Sequence, residues 1–198
     1  GASSVGIIFY ANRYNHPFAA GDLLRDRFHF SGKRNHLVSG HYDWFLGSYN
    51  LFGEAAQDKN NHKAINSGLQ ALWPGMELVL FYRHYARDFN SLHGFAFGEQ
   101  NGKTQNEEGI YTGVKLKLRR GTLLQGYYDI FRYPWRSPDV PKPVTGDDFS
   151  VRADQNIWAR TNLNVLFKNQ RKDQSVKTQD ELGRDIVTVG QGTTRRWR

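Results

Sequence analysis

Cysteine is absent from the 198 residues, which excludes disulfide staples, thiolate metal sites and thiol nucleophiles together. Long apolar runs are missing as well. No stretch approaches the ~18 consecutive apolar residues of a membrane helix. That excludes a helical span but not strands that cross a bilayer with half their residues towards lipid. Helical patterning is lacking too, because Gly and Asn are spread through the apolar segments in a way helices tolerate poorly. The opening GASSVG carries no basic start, apolar core and small-residue cleavage site, so it reads as a mature or processed sequence.

What is present points to β structure. Apolar residues are 38% and charged residues 23%, yet aromatics reach 14%, with 10 Tyr, 13 Phe and 5 Trp. Disordered chains are poor in aromatics, so large side chains confined to part of each strand fit better. The net charge is +8 and the pI near 9.7. Such an excess suits a solvated basic surface, nucleic acid, anionic headgroups or a lumen that favours anions.

Ten strands are expected: 4–12, 36–46, 51–58, 64–72, 76–87, 109–118, 122–132, 148–156, 160–169 and 185–198. Hairpin turns follow alternate strands at GSYN, WPG, RRG and IWA, each two to five residues long. The other links are mostly long: 13–35, 88–108, 133–147 and 170–184, with KNNHK the one short member. In a meander, alternate links lie at opposite ends of the sheet, so one end is trimmed and the other elaborate. Outer-membrane barrels show that asymmetry.

The segment GIYTGVKLKLRRGTLLQGYYDIFRYPW (109–135) alternates cleanly. Ile110, Thr112, Val114, Leu116 and Leu118 share one face, and Tyr111, Gly113, Lys115 and Lys117 the other. A half-buried soluble sheet has the same period, but two features favour a membrane. Several strands reach nine to twelve residues, close to the ~9–11 that cross a bilayer at a tilt. Aromatics also gather near strand ends, at Tyr42, Trp44, Phe45, Trp73, Tyr82, Tyr85, Tyr133, Trp135 and Trp158, as in an interfacial girdle.

Tyr82, Arg83 and Tyr85, then FAFGE at 95–99, then QNEEG at 105–109 form a pattern that resembles the outer-membrane β-barrel region of Bacteroidota-type helix-hairpin-helix domain proteins. YDIFRYPW (128–135) is similar to that family's strand end and NLFGEAA (50–56) to one of its strands. The resemblance covers most of residues 36–170 and implies a barrel in the bacterial outer membrane, in contact with lipid, lipopolysaccharide and other envelope proteins. The helix-hairpin-helix segment is not in this chain, so DNA binding is not carried over. The ending TTRRWR reads as the middle of a strand, and a piece of a larger barrel is therefore expected alongside a ten-stranded one.

Chemistry-bearing motifs are few. Seven histidines (16, 29, 36, 41, 62, 84 and 93) show no zinc-ligand spacing. No nucleophile elbow, P-loop or dinucleotide fingerprint occurs, and GEQNGKT (98–104) lacks the spacing and the following helix of a phosphate loop. Glu54, Glu77, Asp129 and Asp154 could serve as an acid/base pair. The stronger expectation is that they neutralise Arg83, Lys115, Lys117 and Arg152 across a barrel interior, where burial demands pairing. No catalytic residue, cofactor or metal is assigned.

Basic stretches at SGKRN, KLKLRRG, KNQRKDQSVK and TTRRWR are interleaved with aromatics and suit anionic headgroups or nucleic acid, nucleic acid being the weaker expectation for this chain alone. The sequence thus predicts one all-β domain over 1–198: an antiparallel up-and-down meander, closed as a transmembrane β-barrel or part of one. It would act as a channel, a loop-displaying platform or an envelope subunit, not as an enzyme. The alternatives are a soluble all-β module that binds nucleic acid or another anion and, more weakly, a barrel-embedded hydrolase.

Overall fold

The fold follows from period-two patterning interrupted by turn residues. A computed structural model describes residues 2–100, 102–118, 121–136, 140–158, 161–179 and 184–198, the side chains of Trp158, Lys177 and Asp185 excepted. Ten strands form one sheet in chain order. They are β1 (Ser4–Phe18), β2 (Gly32–Leu46), β3 (Tyr49–Asp58), β4 (Lys63–Trp73), β5 (Met76–Tyr85), β6 (Glu107–Lys117), β7 (Thr122–Tyr133), β8 (Val144–Trp158), β9 (Thr161–Gln179) and β10 (Asp185–Trp197). Every neighbouring pair is antiparallel. The expected all-β meander is therefore present, with a 3-10 turn at Leu24–Asp26.

Register decides which side chains share a face. Phe52, Gly68, Phe81, Tyr111, Asp129, Asp148 and Gln170 are successive cross-strand partners, so they line one face, called inner here because the link 86–106 folds against it. The outer face carries the apolar set. Leu80, Ile110 and Ile130 lie there with about half their surface exposed, at 50%, 50% and 53%. Arg83 and Glu107, on the inner face, are both 0% exposed. A soluble sheet has the reverse polarity.

The strands run further than hydropathy indicates. β1 continues to Phe18 and β2 starts at Gly32, which shortens the expected 13–35 link to 19–31. β9 continues to Gln179, so the expected long link at 170–184 is instead mostly a hairpin. Ladder hydrogen bonds need no apolar side chains, and polar extensions leave no alternation to read. β8 ends pairing with β9 at Gly146↔Lys172, while β9 and β10 pair on to Gln179↔Asp185. A two-stranded ribbon therefore projects past β8 by seven residues of β9, ~24 Å at ~3.4 Å per residue.

The short turns also shift slightly. Gly47–Ser48 joins β2 to β3, and Pro74–Gly75 joins β4 to β5. Ile157 and Trp158, expected in a turn, belong to β8. Arg119 and Arg120 of the expected RRG turn lie outside the described residues, as does Arg160, the expected start of the ninth strand. Of the expected aromatic girdle, Trp44 and Tyr82 are exposed on the outer face, but Tyr85 and Tyr133 point inward and are buried. Each is an odd step from the outer set of its strand, so strand-end position alone misassigns them. Trp135 sits in the link after β7, and the side chain of Trp158 is not described.

Packed hydrophobic clusters are small: one around Leu37, Ala64, Tyr85, Phe89 and Ala96, another around Phe131, Tyr133, Val140 and Val144. Both involve inner-face residues and links. Among the described residues β1 has no ladder partner besides β2, and β10 none besides β9. Amide hydrogen exchange should consequently be slowest in β3–β8 and fast along the outer edges of β1 and β10. Equal protection at both edges would mean that they are paired in solution.

Candidate functional site

The site grows from one buried cation. Arg83 of β5 donates from Nε to Glu107 Oε1 at 2.7 Å and from Nη1 and Nη2 to the two oxygens of Asp129 at 2.8 and 3.0 Å. The planar guanidinium meets Asp129 in bidentate fashion, and consecutive strands β5, β6 and β7 supply the three residues. Space for the pair comes from Gly109, where an added Cβ would lie 2.7 Å from Arg83 Cζ.

Glu107 has a second task. Its Oε1 accepts the backbone N–H of Glu99 at 2.8 Å and its Oε2 that of Gln100 at 3.2 Å. The link 86–106 is thereby held against the inner face. Gly98 permits the approach, since a Cβ there would stand 2.5 Å from Glu107 Oε1. Phe97 enters beside the strands, with ring centroids 5.3 Å from Phe81 and 5.1 Å from Tyr111, and its carbonyl accepts the Tyr85 hydroxyl at 3.0 Å.

The same link reaches distant strands. Asn35 of β2 donates to Asn90 O at 3.1 Å, and Gln170 of β9 donates to Glu99 Oε2 at 2.9 Å. In a flat sheet β2 and β9 would be seven spacings apart, ~34 Å at ~4.8 Å each. The link also doubles back, with Ala96 N donating to Gly102 O at 3.0 Å. The sheet therefore curls around it.

Next to Glu99 lies a second polar group: Lys168 Nζ is 2.6 Å from Asp148 Oδ2, and Tyr127 OH donates to the same oxygen at 3.1 Å. Burial pushes the Glu99 carboxyl above the usual 4.5, and the nearby Asp148 and Asp129 carboxylates push it the same way.

All eight charges singled out from sequence fall on the inner face by register: Glu54, Glu77, Arg83, Lys115, Lys117, Asp129, Arg152 and Asp154. Seven are in ion pairs. Besides Arg83–Asp129, Glu77 is 3.2 Å from Lys115 and 3.8 Å from Lys117, and Arg152 is 2.9 Å from Asp154. Glu54 differs: among the described residues it has no ion pair, its cross-strand neighbours being His41 and Asn66. Glu107, Asp148, Lys168 and Glu99 were not singled out. Continuing the inner-face parity back from Gly109 would have found Glu107, but NEE reads as link sequence.

Beneath the docked link the inner face forms a cavity of about 280 Å³ lined by Glu77, Tyr111, Lys115, Gln125, Tyr127 and Arg152, among others. The arrangement can hold a link in place through charge and can host polar solutes below it. The chain matches no protein-family description, no curated protein and no solved structure.

Two outcomes follow. Arg83→Gln leaves Glu107 and Asp129 buried without their cation and should lower unfolding stability by about 3–5 kcal/mol, read from denaturant midpoints in detergent. Glu99 binds its proton more tightly in the folded chain than in the unfolded one. Its contribution is therefore complete below the ordinary 4.5 and lost as pH rises through the raised folded value. Protease cleavage within 86–106 should accordingly increase with pH in the window above 4.5, and Glu99→Gln should flatten that dependence.

Proposed function

We propose that the chain is the wall of an outer-membrane β-barrel whose interior is closed by the inward-folded link 86–106, a plugged and gated passage rather than an enzyme. The observation that carries this reading is the inverted polarity: an exposed apolar outer face and a buried, ion-paired inner one. On β6 the outer stripe from Ile110 to Leu118 covers ~27 Å along the strand, or ~21 Å of height at a tilt of about 40°, near the ~25 Å apolar band of such barrels.

The band ends where a barrel's headgroup boundary would require. Towards the long links the outer face switches to Arg13, Lys63, His84, Glu108, Arg132, Asp147 and Arg171. Glu108 and Arg132 pair there at 3.0 Å, and Asp147 and Arg171 at 2.9 Å. At the short-turn end Trp44, Tyr49 and Trp73 lie on the outer face, Tyr49 and Trp73 in edge contact at 5.8 Å. Interfacial aromatics suit that level. In hydrocarbon neither β1 nor β10 can keep an open edge, so the two meet each other or further strands. The resemblance in residues 36–170 supports the same class.

A soluble anion-binding module would need its apolar faces to meet in one core, and here they stay on the outside. The test is fractionation of the expressed chain together with gel mobility before and after boiling. Outer-membrane partition and a heat-modifiable band are expected, and a soluble chain with no mobility shift would sink the proposal. Val114→Arg or Leu80→Arg should cost about 2–4 kcal/mol near the middle of the band, while Lys115→Gln on the inner face should be close to neutral.

A further inference from the structure

At the long-link end three links that are remote in sequence are tied into one platform. Gln105 Nε2 donates to Phe28 O at 2.9 Å and to Arg87 O at 2.7 Å. The Asn106 amide pairs with Trp135 in both directions, Nδ2 to Trp135 O at 3.0 Å and Oδ1 from Trp135 N at 2.7 Å. Trp135 Nε1 reaches Leu24 O at 3.3 Å. The rings of Phe28 and Trp135 meet edge-on at 4.9 Å, with Arg87 Cζ 4.8 Å from the first and 5.5 Å from the second.

This platform encloses a cavity of about 90 Å³ whose lining includes Arg25, His29, Arg87, Lys103 and Arg136. The one carboxylate in that lining, Asp26, is engaged by Arg25 at 3.6 Å and His29 at 3.5 Å. Among the described residues Arg87 and Lys103 have no carboxylate partner. Gathering like charges around one concavity is unfavourable unless an anion sits among them. A guanidinium fixed against two aromatic rings also presents its N–H fork without further ordering.

We propose that this cavity is a binding site for a phosphate group, carried either by a lipopolysaccharide headgroup or by a soluble phosphorylated solute. Its size suits one phosphate, and the Arg and Lys donors match phosphate oxygens in charge and geometry. The site stands on the tied links alone. Loss of the membrane reading would leave it intact, and its own failure would leave that reading intact.

The experiment is calorimetric titration of the detergent-folded full chain with inorganic phosphate at two salt concentrations, alongside Arg87→Gln, Lys103→Gln and the remote pair Arg195→Gln with Arg196→Gln. Lys103 is exposed and holds no other part in place, so its variant keeps the test valid if Arg87→Gln loosens the links. Each site variant should weaken binding by about fivefold or more, with a shallower salt slope, and the remote pair should change it by less than about twofold. Equal losses in the remote pair would reduce the effect to net charge and overturn the site.

Micelles of phosphorylated and dephosphorylated lipopolysaccharide separate the two sources. Phosphate-dependent capture that Lys103→Gln abolishes assigns the headgroup, whereas inorganic phosphate binding without such capture assigns the soluble solute. Dissociation constants above about 10 mM for every probe would overturn the proposal.

Discussion

A guanidinium with no exposed surface sets the terms for everything around it. Arg83 is held by two carboxylates from two further strands, and one of those carboxylates also holds the link 86–106. Such a buried triad is weak evidence for stability as such, since apolar residues of equal volume often do as well. Its effect is on arrangement. The registers of β5, β6 and β7 and the path of the link are fixed by one set of hydrogen bonds, so none can slip without stranding a charge.

Around that centre the sheet is built inside out. Ion pairs and amides fill the inner face, and aliphatic side chains cover the outer one. Among the described residues most of the buried hydrophobic side chains belong to two small clusters. The exposed aliphatic surface of the outer face is therefore not matched by a core of comparable size among the described residues. The wide curl needed to wrap the link also follows from the contacts the link makes from β2 to β9.

Strand number, order and facing were legible in the sequence because alternation and short turns are local signals. Ile110, Lys115 and Asp129 are assignable from their neighbours alone. The polar upper parts of β1, β2 and β9 were not legible, because a ladder of backbone hydrogen bonds has no hydropathy signature. Nor was the docking of Glu99 and Gln100 on Glu107, where a side chain meets backbone N–H groups and leaves no periodic mark. The Phe28–Arg87–Trp135 stack is assembled from three links across more than a hundred positions, and no spacing within any one link announces it.

The β9–β10 ribbon is rooted beside the anchor of the folded link. It extends past β8, packs through Val189 against the cluster of Phe131, Tyr133, Val140 and Val144, and is held at its base where Asp173 accepts from both the backbone N–H and the hydroxyl of Thr145 at 2.8 Å. Two residues before Asp173, Arg171 grips Asp147. One residue further back, Gln170 holds Glu99. The root of the ribbon and the contact that holds Glu99 of the folded link therefore lie within four residues of one strand, and the two share a single hydrogen-bonded stretch of β9.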